Sequence, residues 1–80
     1  MANTYRAPTE AETEAYKATV DAAVALVRNP VQAAVAARLA VETVLGPCIY
    51  ERVGAGKTQV TQSTPDADGK QVRFELNADL

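Results

Sequence analysis

The stretch Val27-Arg28-Asn29-Pro30-Val31-Gln32 decides how this chain is organised. A residue that precedes proline is pushed out of the helical region, so a helix arriving from the N-terminal side stops here. Pro30, with its fixed φ and no N–H, suits the first turn of a new helix, and Asn29 suits its N-cap, with Gln32 as the capping-box partner. The spacing therefore predicts two helices, 9–28 and 30–45, joined by almost no loop.

Upstream, Thr9 and Glu12 form the S/T-x-x-E box, and Glu10, Glu12 and Glu14 suit the positive end of a helix dipole. At about 100° per residue, Tyr16, Val20, Ala23, Val24 and Val27 share one face, and Tyr16 reads as core. Glu10, Lys17, Asp21 and Arg28 share a second face. Ala11, Ala15, Ala18, Ala22 and Ala25 line a third, open to close backbone approach. Residues 1–8 carry no periodicity, end in Pro8 and read as a tail with two contact candidates, Tyr5 and Arg6.

Downstream, the second helix is apolar almost all round, with Gln32, Arg38, Glu42 and Thr43 as its polar residues. Arg38 and Glu42 stand four apart and are expected to pair. A helix with so narrow a polar face is expected to be covered on both sides, by the first helix and by a sheet or a second subunit. Gly46-Pro47 ends it.

Beyond lie three expected strands, about 48–53, 58–64 and 71–76. Gly54-Ala55-Gly56 forms a turn and Pro65–Gly69 a loop. Gln71–Leu76 alternates, with Val72, Phe74 and Leu76 inward and Gln71, Arg73 and Glu75 outward, as in an antiparallel sheet with one wet face. The predicted fold class is α+β: an N-terminal helical hairpin packed on a C-terminal three-stranded antiparallel β-meander, with 9–80 as one domain.

Composition narrows the function. The 80 residues carry 8 basic and 10 acidic side chains, a net charge of −2. With no basic stripe, direct nucleic-acid binding is disfavoured. Alanine and valine dominate, with one Phe and no Trp, so the core is expected to be thin and a partner or oligomer is expected to supplement it. One cysteine, Cys48, excludes an internal disulfide and suits a reducing compartment. Residues 1–9 do not resemble a signal peptide, and no apolar run approaches the roughly 18 residues of a membrane span.

The chemistry-bearing motifs are weak. Gly54-Ala55-Gly56-Lys57-Thr58 resembles the end of a phosphate-binding loop, but the first glycine of that motif would fall on Glu51, whose carboxylate would face the phosphate. The motif must also open a helix, whereas Thr58 opens a β-prone run. Asp66-Ala67-Asp68-Gly69 offers fewer oxygens than calcium requires and reads as a turn. Cys48 has no histidine to activate it and reads as buried. No catalytic residue, cofactor or metal is therefore expected.

The run Gly54–Thr61, then Asp68–Leu76, then Asn77-Ala78-Asp79-Leu80, is similar to the hairpin of small head–tail joining proteins of tailed phages. In that family a helix precedes a glycine-rich turn into a short hairpin, and a second helix follows. This chain departs from the pattern: it places two helices before the hairpin, and the sequence stops at Leu80, where that second helix would begin. The resemblance implies a small virion assembly protein present in several copies.

The functional expectation is a non-enzymatic protein-interaction module, a phage-type assembly protein of the virion or host cytoplasm. The alternative is a small mobile-element inhibitor or adaptor, anti-CRISPR-like, that binds a larger host complex. The candidate interface residues are Tyr5 and Arg6; Ala11, Ala15, Ala18 and Ala22 on the first helix; and Gln59, Thr61, Arg73 and Glu75 on the outer sheet face.

Overall fold

The computed structural model describes residues 4–26 and 28–80. Its elements are β1 (Thr4–Arg6), α1 (Glu10–Leu26), α2 (Pro30–Leu45), β2 (Cys48–Gly54), β3 (Lys57–Gln62) and β4 (Lys70–Leu76). The strands form one four-stranded sheet in the order β1-β4-β3-β2. The fold is therefore α+β, as read from the sequence, but the sheet is larger than a three-stranded meander and mixed rather than antiparallel.

The correction comes from the expected tail. Thr4–Arg6 pairs in parallel with Lys70–Val72 of β4. Residues 1–3 of the expected tail lie outside the described residues, as do Val27 and the side chain of Val24 on the expected valine face. The first helix was expected to run to residue 28; Arg28 is not helical.

The Thr9–Glu12 box is complete, whereas at Asn29 only the N-cap half is present, since the Gln32 side chain makes no hydrogen bond to the Asn29 backbone. The Thr9 hydroxyl accepts the Glu12 N–H at 3.1 Å, and the Thr9 N–H donates to Glu12 Oε1 at 2.9 Å. Asn29 Oδ1 accepts the Val31 N–H at 2.9 Å. Gly46, at φ 75°, closes α2 with its N–H on the Glu42 carbonyl. This left-handed conformation is one that glycine adopts without a Cβ clash.

Both helices pack on one sheet face. Tyr16 and Val20 of α1 meet Ala37, Ala40, Val41 and Leu45 of α2 over Val60 and Val72, the centres of β3 and β4. The Tyr16 and Phe74 rings stack at 5.0 Å. The inner strands thus carry the core, although β3 has one large hydrophobe, because its polar side chains hydrogen-bond internally. Thr58, buried, donates to the Ala78 carbonyl at 2.7 Å and accepts the Leu80 N–H at 3.0 Å, which fastens the C-terminal residues to the sheet. Gln62 Nε2 donates to the Leu45 carbonyl at 2.7 Å, one of the helix-end acceptors that lack an intrahelical partner. Its Oε1 accepts the Val72 N–H at 3.3 Å.

Three ionised groups hold β1 to the rest. Arg6 donates to both Glu12 oxygens, at 2.8 and 3.1 Å, and to Asp66 Oδ2 at 3.0 Å. One guanidinium thereby ties the N-terminal strand to the first turn of α1 and to the β3–β4 loop. The fork on Arg6, together with the Thr9 N–H, holds the Glu12 carboxyl down at about 2, against the usual 4.5. Asp66 is lowered as well, first by the Lys70 N–H and then by Arg6.

Two outcomes follow. A folded-state carboxyl held below its unfolded value stabilises the fold above the unfolded value, and the effect fades as pH falls through the folded one. The urea midpoint of the wild type is expected to drop between pH 4.5 and about 2, and Glu12→Gln to be less stable at neutral pH with a smaller drop over that window. Equal acid sensitivity in the two proteins would contradict the bridge. Separately, Val60→Ala, at a fully buried site, is expected to cost about 2 kcal/mol in urea denaturation, whereas Val31→Ala, at an exposed one, costs little.

Candidate functional site

The outer sheet face, away from the helices, gathers five of the expected interface residues. Strand register aligns Arg73 of β4, Thr61 of β3 and Ile49 of β2 in one row across the sheet. The next row holds Glu75, Gln59 and Glu51. Tyr5 enters from β1, opposite Gln71. The Arg73 guanidinium carbon lies 3.5 Å from the Tyr5 ring centroid, and its Nε donates to Thr61 Oγ1 at 3.1 Å. Arg73 thus touches both Tyr5 and Thr61, with Gln59 and Glu75 one pleat away; Thr61 is itself buried, which corrects its expected place as an exposed contact. Gln71 also belongs to this face by alternation but is buried, its amide donating to the Gln62 carbonyl at 2.8 Å.

Arg6 is placed apart from them. It alternates with Tyr5 and turns to the helix side, into the Glu12 and Asp66 bridges. Ala11, Ala15, Ala18 and Ala22 are all exposed along α1.

The structure brings out a surface that the sequence did not single out. Val31, Val35 and Leu39 of α2 are 72%, 43% and 60% exposed. Spaced four apart, they form an apolar stripe on the helix. Within the chain α2 is covered on one side: α1 and the sheet take the Ala37–Val41–Leu45 side and leave this one open, so the sheet does not supply the second cover. Helical spacing alone does not say which side of such a helix the sheet takes. The expected Arg38–Glu42 pair is also replaced. Arg38 lies over the Tyr50 ring at 5.8 Å, and Glu42 Oε1 accepts the Cys48 N–H at 3.2 Å.

The weak motifs occupy structural positions. Lys57 and Thr58 lie in β3 rather than at a helix start, and the Thr58 hydroxyl is engaged with Ala78 and Leu80. Asp66 Oδ1 accepts the N–H groups of Asp68 and Lys70, both at 3.0 Å, which shapes the turn to Gly69. Among the described residues no cluster of three His, Cys, Asp or Glu could hold a metal, and no helix is long and apolar enough to cross a membrane. Cys48 is half-buried, with Sγ 3.3 Å from the Gly46 carbonyl. Burial, reinforced by the Glu42 charge, pushes its thiol up to about 11.

No protein-family model matches the chain, and no curated protein or solved structure matches it either.

A thiol that ionises near 11 has little thiolate at mild pH. Native Cys48 is expected to react with iodoacetamide at pH 8 far more slowly than the urea-unfolded chain. Equal rates would show that the folded environment does not suppress the thiolate.

Proposed function

We propose that this chain is a non-enzymatic protein-interaction module that works in several copies, as small phage assembly proteins do. The carrying observation is the Val31–Val35–Leu39 stripe, left open on the most apolar helix of a small protein. The hairpin's similarity to head–tail joining proteins supports the same reading. A second α2 laid antiparallel about Val35 sets Val31 against the other copy's Leu39 and Gln32 against its Arg38. Apolar then meets apolar, and no like charges meet.

The magnitude indicates how such pairing behaves. Burying the exposed parts of these three side chains is worth about 3–5 kcal/mol per copy. Association costs roughly 4–15 kcal/mol, so the stripe alone gives weak pairing that grows with concentration and is reinforced in a larger particle. The mobile-element adaptor reading, in which a different protein is the partner, is favoured by a separate observation, the Arg73 shelf on the opposite side of the sheet.

Light scattering of the purified chain from micromolar to millimolar concentration tests the multi-copy reading. The mass is expected to climb towards a defined oligomer, and Leu39→Glu to remain a monomer with unchanged circular dichroism. A decrease on Ala15→Glu instead would move the contact to the alanine face of α1. A wild-type monomer at every concentration would contradict the reading.

A further inference from the structure

The outer face of the sheet presents an arginine that is held but not neutralised. Arg73 is half-buried and fixed on two sides: its guanidinium carbon lies over the Tyr5 ring of β1, and its Nε donates a hydrogen bond to Thr61 of β3. Among the described residues, which include every Asp and Glu of the chain, no carboxylate pairs with it. Nor do its two terminal nitrogens donate to any acceptor among those residues. Arg6, by contrast, is fully occupied by two acids. A guanidinium whose rotamer is already fixed loses little entropy when a ligand arrives, and its open edge presents parallel N–H donors that match a carboxylate fork.

We infer that this shelf binds an acidic segment of another protein, with one carboxylate forked onto Arg73 and an apolar side chain beside it on Ile49. Ile49 lies in the same row across the sheet and is 59% exposed. Arginine and tyrosine at the centre of a patch are the residue types that carry interface energy. Charge selects the partner class. Glu75 and Glu51 occupy the neighbouring row, and the chain's net charge is −2. A nucleic-acid backbone would bring a second and third phosphate against those acids, whereas a peptide can place a single carboxylate on Arg73 and a neutral or basic residue beyond it. This inference rests on the interaction-module reading but not on self-association, because the shelf and the α2 stripe lie on opposite sides of the sheet.

The test uses the full chain as bait for a random peptide library displayed on phage. A synthetic selected peptide is then measured by fluorescence anisotropy. Selected peptides are expected to share an acidic residue. Changing that residue to its amide should weaken binding at least about tenfold, as should Arg73→Ala, and the two losses should not add in the double-mutant cycle. Arg73→Lys should also bind weakly, since it keeps the charge but loses the stacked fork. The peptide-side change leaves the protein intact, so a folding defect in a variant cannot imitate the result. The inference is overturned if the selection yields no binders, if binding survives both changes, or if single-stranded DNA binds through Arg73 while the peptides do not. Arg73→Ala should leave the concentration dependence of the native mass unchanged, which separates failure of the shelf from failure of self-association.

Discussion

The Arg6 guanidinium joins the N-terminal strand to the first turn of α1 and to the β3–β4 loop at once. It bridges Glu12, six residues away, and Asp66, sixty residues away. A three-residue parallel strand has too few backbone hydrogen bonds to hold an edge by itself. With its charge fixed between two acids on the helix side, β1 is held in register, and alternation turns the preceding side chain, Tyr5, to the opposite face. There it becomes the platform for Arg73. The clamp on one face of the sheet thus builds the shelf on the other.

The rest of the fold follows from a shortage of large apolar side chains. The fully buried positions are filled by Ala37, Val41, Val60 and Val72, with Thr58 among them. Small residues close-pack at little entropic cost but bury little area each. Polar side chains complete the interior by hydrogen bonding: Thr58 to the C-terminal residues, and Gln62 between the end of α2 and β4. No buried side-chain polar atom among the described residues lacks a partner. Leu39 and Ile49, with Val31 and Val35, are left at the surface. Stability thus comes from satisfied polar contacts around a thin core, while apolar area remains free for association.

Much of this was legible in the sequence because its signals are local. The Thr9–Glu12 and Asn29-Pro30 caps, the Gly46 stop and the alternation through Val72, Phe74 and Leu76 each act over a few residues, and each appears where expected. What escaped was non-local. Thr4–Arg6 is too short for any periodicity, and its partner strand lies more than sixty residues on. The outer face was anticipated as an exposed surface, and alternation put Arg73 there, but its contact with Tyr5 depends on the unseen strand. The open stripe on α2 was hidden for a different reason. A helix apolar all round shows that it wants cover, whereas the side that goes uncovered is set by the sheet it meets.

Amide hydrogen exchange on Arg6→Ala tests the central dependence most directly. The account predicts that the amides of Thr4–Arg6 lose their protection while those of Val60 and Val72 keep theirs, so that the strand detaches from an intact core. If β1 remains as protected as in the wild type, the clamp does not hold the strand, and the Arg73 shelf does not depend on it.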